Sequence, residues 1–226
     1  DRCSDSVTVI LERLTGAFAL NCELFFLTLL FSLPLGLVVA FGSMSRCAPL
    51  RGVVKTFVWV IRGTPLMVQL MFIFYGLPMI GFTIPDVSWI PNFSRFTAGI
   101  VAMSMNSCAY VAEIIRSGIE SVDPGQMEAA RSIGFGPVRS MMMIVVPQAV
   151  KNILPNFGNE FANLIKASSQ VMVIGVAELM FTFNTVSATG RVFTPLLVIA
   201  VLYFAMTFTV GRGVHLMEKH FKKADR

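Results

Sequence analysis

Four stretches of this chain are almost free of charge. Leu24 to Met44, Gly63 to Pro85 and Val192 to Gly211 contain no Asp, Glu, Lys or Arg, and Phe96 to Ala112 is a shorter run of the same kind. An apolar run of roughly 18 or more residues is long enough to cross the hydrocarbon of a bilayer as a helix. A helix buried in a soluble core is rarely so apolar on every face. Charged residues make up 14% of the chain, against about 25% in an ordinary soluble domain. The runs therefore predict an all-α integral membrane protein.

Five spans are predicted, at about 22–44, 57–80, 96–115, 150–168 and 192–211. They leave 1–21 as a segment before the membrane, 117–149 as a long loop and 212–226 as a basic tail. Pro34 is expected to kink the first span. The fourth contains Glu160 and Lys166 and is followed directly by a second apolar piece, Val171 to Phe183. This predicts a crossing helix, a break near Ser168–Ser169 and a short half-helix, an arrangement tolerated only against protein or a water-filled cavity. An odd number of spans puts the termini on opposite sides. Arg46, Arg51, Lys55, Arg116, Arg131, Arg139, Lys151 and the basic tail then fall on one side, and only Arg2, Arg13, Arg95 and Arg191 on the other. The positive-inside rule makes the richer side cytoplasmic, with the N-terminus outside. Trp89 sits in the outer loop 81–94 as an interfacial residue.

Cys3, Cys22, Cys47 and Cys108 show no metal-binding spacing, and His215 and His220 add no convincing ligand set, so neither a disulfide framework nor a metal site is expected. No G-x-x-x-x-G-K-[ST] phosphate loop occurs. The chain is therefore read as not an enzyme, with no catalytic residue and no cofactor of its own. Nothing points to nucleic acid.

The loop between the third and fourth spans is the most informative. Asp123, Pro124 and Gln126 form a helix start: a capping side chain, proline at the first helical position and Gln three residues after the cap. Gly134 suits the left-handed residue that ends a helix. Gly136–Pro137 opens a second helix with an expected kink at Pro147. Met127, Ala130 and Ile133 recur every three residues and give the first helix an apolar side. That side either rests on the chain's own membrane domain or docks on a partner.

The segment EAARSIGFGPVRSMMMIVVP (128–147) resembles the EAA loop of ABC importer permeases. Glu128, Ala129, Ala130, Gly134, Ile144 and Pro147 fall in register with that motif, and Val146 stands where Leu is usual. RGTPLMVQLMFIFYGLP (62–78), NSCAYVAEIIRSGIESVDPGQ (106–126), LPNFGNEFANLIKASS (154–169) and VIGVAEL (173–179) resemble the polar amino acid permeases within that family. The resemblance covers about Thr56 to Lys219. It implies a type I ABC importer permease fold of five transmembrane helices with a cytoplasmic coupling helix. It also implies a cytoplasmic ATPase dimer that binds ATP and Mg on separate polypeptides, a second permease subunit, an extracytoplasmic amino acid-binding protein and a bacterial plasma membrane. A stand-alone channel or ion-coupled carrier would need no such loop.

Polar groups inside the predicted spans are candidates for the substrate path: Glu160, Lys166, Asn106 and Glu113. Intramembrane charge is costly and usually functional. A carboxylate at Glu160 would suit an α-amino group; the alternative is a structural pair with another span or subunit. Glu160 and Lys166 are six apart and point to different faces of a straight helix. Glu113 and Arg116 are placed for an i,i+3 pair. Arg62 is expected to anchor the start of the second span at the interface.

Overall fold

The computed structural model describes residues 2–86, 93–187 and 193–223. Trp89 and Arg191 lie outside them. Among the described residues all the regular secondary structure is helical. The helices are α1 (Arg2–Ser43), α2 (Ala48–Gly63), α3 (Leu66–Met79), α4 (Phe93–Glu120), α5 (Pro124–Ser132), α6 (137–167), α7 (Leu179–Ser187) and α8 (Phe193–Lys223). A 3-10 turn, Ser168–Ile174, continues α6. Glu12–Ser43, Ser94–Glu120 and Pro195–Phe221 are long and apolar enough to cross a membrane. The bent pairs α2–α3 and α6–α7 bring the number of spans to as many as five.

The first helix does not begin at Cys22. It runs unbroken from Arg2 because Gly16 is the only Gly or Pro before Pro34. Its early part belongs to the bundle: Leu14 and Ala17 are buried against Leu179 of α7 and Ile199 of α8. Pro34 is accommodated inside the helix. The second span is not one helix either. The axes of α2 and α3 meet at 107°. Near the expected break at Ser168–Ser169 the helix changes type, α6 giving way to the 3-10 turn after Ala167, but the bend comes later: the turn closes on Gly175 with φ 82°, and α7 starts at Leu179, at 49°.

At the centre, α1 and α4 run parallel and α6 antiparallel to both. Gly36 of α1 lies against Val111 and the Cys108 carbonyl of α4, and Gly118 of α4 lies against Ile153 and the Ala149 carbonyl of α6. A side chain at either glycine would collide with its neighbour, so glycine permits the backbones to approach, as small residues do in membrane helix packing. The main core joins Leu24 and Phe25, Leu66, Leu70 and Ile73, Ala98, Ala102 and Met103, and Leu164 and Ile165. Leu197, Val201, Phe204 and Phe208 of α8 stay exposed, as a hydrocarbon-facing surface requires.

Two π-helical turns interrupt the α-helices, Phe72–Gly76 in α3 and Met141–Val145 in α6. Each is closed by a bond to the carbonyl five residues back, Leu77 to Phe72 and Val146 to Met141, and each stands just before a proline, Pro78 and Pro147. A proline donates no bond to the turn before it. The expected kink at Pro147 is thus taken up as a wide turn.

Candidate functional site

The break between α2 and α3 builds a polar cavity. Pro65 disfavours a helical conformation for the residue before it, and Thr64 is extended at φ −115°, ψ 141°. Helix α2 therefore ends with carbonyls that have no partner within the helix, each of which needs another donor. Gln69 supplies it. Its buried amide donates to the Ile61 carbonyl at 2.9 Å and to the Thr64 carbonyl at 3.1 Å, and its carbonyl accepts from the Asn106 amide at 3.1 Å. This fixes the bend and ties it to α4. The cavity beside it, of ≈ 480 Å³, is lined by α2 (Arg62), the break (Thr64), α3 (Leu66), α4 (Asn106, Tyr110), α6 (Glu160, Asn163) and the 3-10 turn (Gln170).

Of the candidate path residues, Glu160 and Asn106 meet in this cavity. The Glu160 carboxylate accepts a hydrogen bond from the Ser107 hydroxyl at 3.3 Å. Glu113 sits one step towards the 121–136 hairpin. It pairs with Arg116 as the i,i+3 spacing predicts, and its carboxylate is 3.8 Å from the Arg62 guanidinium. Arg116 reaches on to Glu120. Lys166 is exposed on α6 and does not line the cavity. Arg62, expected as an interfacial anchor, stands at the end of α2, lines the cavity and lies 5.3 Å from the centre of the Tyr110 ring. The signal was present in Gly63–Thr64–Pro65, a helix-breaking triplet inside a charge-free run, which places the preceding residue at a helix end within the membrane domain.

The 121–136 hairpin is the second candidate site. The Asp123 carboxylate accepts from the Gly125 N–H at 2.8 Å and caps α5. The helix ends in a Schellman motif: the Phe135 N–H bonds the Ala130 carbonyl, the Gly134 N–H bonds the Arg131 carbonyl, and Gly134 takes φ 90°. The expected apolar side divides. Ala130 is buried, and Met127 packs onto Val122, Val145 and Ala149 of the chain's own bundle. Ile133 lies beyond the last helical turn and is 74% exposed, beside Val138 at 75%. Glu128, Ala129 and Pro147 are exposed, and Ile144 is half-buried. The Arg139 guanidinium stacks 4.6 Å from the Phe135 ring. One face of the hairpin thus rests on the bundle, and the other presents small and apolar groups with nothing upon them.

The family described as "Binding-protein-dependent transport system inner membrane component" matches residues 32–223. The chain belongs to this family. It is the membrane-spanning permease subunit of an ABC importer, and ATP hydrolysis resides on a separate subunit. The permease is 37% identical over 194 residues to the "Probable glutamine ABC transporter permease protein GlnM" of Bacillus subtilis (strain 168), covering 85% of this chain and 86% of that one. It is 34% identical over 221 residues to the arginine transport system permease protein ArtQ of the same organism, covering 97% and 95%. A solved structure titled "Crystal structure of an amino acid ABC transporter with histidines" superposes with a TM-score of 0.82 at 41% identity, covering 97% of each chain. A methionine ABC transporter in an inward-facing conformation, MetNI, superposes with a TM-score of 0.69 at 17% identity, covering 94% and 96%; that likeness speaks for the fold.

A further polar cluster of the permease escaped the sequence reading. Glu178 is 0% exposed. Its carboxyl oxygens accept from the Met180 and Phe181 N–H groups at 2.8 Å each, which caps α7, and from the Tyr203 hydroxyl of α8 at 2.9 Å. Asn21 of α1 donates to Tyr203 and to Ser168, and accepts from the Leu179 N–H at 3.0 Å. The cluster stitches α1, the 3-10 turn, α7 and α8 together at the end of the bundle away from the hairpin. Among the described residues no group of His, Cys, Asp and Glu is arranged to hold a metal ion.

Proposed function

We propose that the permease passes polar amino acids through the cavity at the α2–α3 break and is driven through its 121–136 hairpin. The observation that carries this reading is the meeting of Arg62, Asn106 and Glu160 around one polar cavity, in a family whose relatives carry glutamine and arginine in their names. Glu160 holds the α-ammonium group of the substrate, and Asn106, fixed by Gln69, adds a neutral hydrogen-bonding group. Glu113 positions Arg62 from behind, and Lys166 lies off this path. Glu128, Ala129, Ala130, Gly134, Ile144 and Pro147 form or support the surface that docks on a cytoplasmic ATPase dimer. A second permease subunit, identical or similar, completes the pathway, and an extracytoplasmic binding protein delivers the substrate. The chain sits in the bacterial plasma membrane with its N-terminus outside. In this arrangement 22–211 is the permease domain, and the basic residues from 212 onward lie in the cytosol.

The reading is tested by Glu160→Gln in the complex reconstituted into liposomes with its ATPase and binding protein. A hydrogen bond to a charged partner is worth about 1.5–3 kcal/mol. Uptake of the transported amino acid should therefore fall by roughly tenfold to a hundredfold, while the subunits still co-purify. Unchanged uptake across polar amino acids would make Glu160 a structural group.

A further inference from the structure

Helix α2 lies across the bundle. Its axis stands at 107° to α3. Its Val54 packs against Gly42 at the end of α1, and eight residues later its Arg62 guanidinium reaches Glu113 of α4. Between these contacts Val58 and Ile61 pack on Ala40 of α1 and on Ala109 and Ala112 of α4. The helix thus bridges α1 and α4 instead of running along them. Lys55, Trp59 and Arg62 are spaced by four and three residues and share one side of it, and Phe57 points to the opposite side.

The two sides open on different surroundings. On the Phe57 side lies an apolar groove of ≈ 690 Å³, walled by Leu35 and Val39 of α1 and by Met105 and Cys108 of α4. On the other side is a recess of ≈ 240 Å³, where Lys55, Trp59 and Arg62 meet Ser43 of α1 and Glu113 and Arg116 of α4. Both α1 and α4 pass from the groove to the recess as they run towards their C-terminal ends, so polarity rises across α2 in the direction of the 121–136 hairpin. A helix with one basic and one apolar side lies at the boundary between headgroups and acyl chains. The exposed Trp59 ring suits the same level.

The recess carries surplus positive charge. Of its charged groups three are cations, Lys55, Arg62 and Arg116, and one is a carboxylate, Glu113. Glu113 is shared by Arg62 and Arg116, and Arg116 also holds Glu120, which lies beyond the recess. The Lys55 ammonium makes no ion pair among the described residues. One positive charge is therefore unanswered. We infer that this recess binds the phosphate of an anionic phospholipid of the cytoplasmic leaflet, held by Lys55 and Arg62. Basic pockets between spans on the cytoplasmic side suit such headgroups, and a guanidinium meets phosphate oxygens through parallel N–H···O bonds. A choline headgroup brings its own cation and gains less from the surplus. Arg62 lines both the recess and the cavity at the α2–α3 break, so a lipid held here abuts the proposed substrate path. The cytoplasmic placement rests on the orientation proposed above.

The test is native mass spectrometry of the detergent-solubilised permease–ATPase complex titrated with phosphatidylglycerol, phosphatidylcholine or inorganic phosphate. Phosphatidylglycerol is expected to bind about fivefold tighter than phosphatidylcholine. Lys55→Gln should remove that preference, a change of about 1 kcal/mol. Lys219→Gln removes the same charge from the basic tail and should leave the preference intact. Equal affinities for the two lipids in the unaltered complex overturn the proposal. Equal losses from Lys55→Gln and Lys219→Gln also overturn it, because net charge alone would then explain the binding. Displacement of phosphatidylglycerol by inorganic phosphate at matching concentration would assign the recess to a soluble phosphate and overturn the lipid reading. Binding in detergent does not depend on which way the chain is inserted, so a failed orientation and a failed site give separate results.

Discussion

Gly134→Trp should yield a permease that inserts and folds at normal levels yet takes up no substrate above background when ATP is supplied. Gly134 ends α5 with φ 90°, and a Cβ there meets nothing within 4 Å. The substitution therefore makes no clash inside the chain. Its internal penalty is the left-handed backbone, about 1–2 kcal/mol for a residue with a Cβ, too little to unfold the bundle. What changes is the outer surface of the hairpin, where Ala129 and Gly134 leave room for close approach by another backbone and Ile133 and Val138 offer apolar area. An indole ring would hold that approach off. Gly134→Ala carries the strain without the bulk and should keep most of the coupling. Fluorescence-detected size exclusion checks the fold, and liposome uptake checks the coupling. Normal ATP-driven uptake by Gly134→Trp would show that this face does not carry the force.

Glu178→Ala should be the most destabilising single change in the permease. It strips the acceptor from two backbone N–H groups and one hydroxyl, all in or beside a fully buried position, and an unmet buried donor costs about 1–3 kcal/mol. A total on the order of 4 kcal/mol is expected, part of which is the lost cap of α7. For a chain of this size each kcal/mol moves Tm by roughly 2–4 °C, so detergent-solubilised protein should unfold about 10 °C lower. Tyr203→Phe removes one of those bonds and one of the two acceptors of the Asn21 amide, which keeps Ser168, and should shift Tm by no more than about half as much. Equal shifts for the two variants would mean that the α8 contact, not the cap, holds the segment.

The sequence made legible whatever depends on local chemistry. Charge-free runs mark spans because ions are excluded from hydrocarbon, and Asp123–Pro124 and Gly134 mark the ends of α5 because caps are read from neighbouring residues. An interruption of the fourth span was legible because Glu160 and Lys166 make a straight apolar crossing implausible, but the bend itself falls further on, at 175–178. Features that depend on distant partners were hidden. Gln69 looks like an ordinary polar residue in an apolar run until the bend turns the carbonyls of Ile61 and Thr64 towards it. Glu178 looks like a loop carboxylate until Tyr203, 25 residues on, closes over it. The place of Arg62 on the cavity wall has the same origin: it follows from a 107° bend that hydropathy does not encode.

The wide turns ahead of Pro78 and Pro147 carry a practical consequence for anyone probing the transporter by labelling. A π-turn spends one more residue than an α-turn on the same rotation, so the helical phase slips across it. A cysteine-reactivity scan through 137–167 should show maxima every three to four residues on either side of 141–145, but the two series will be displaced by about one position rather than continuous. Alignments of these segments guided by periodicity alone will place the wrong residue on the pore-facing side downstream of each such turn.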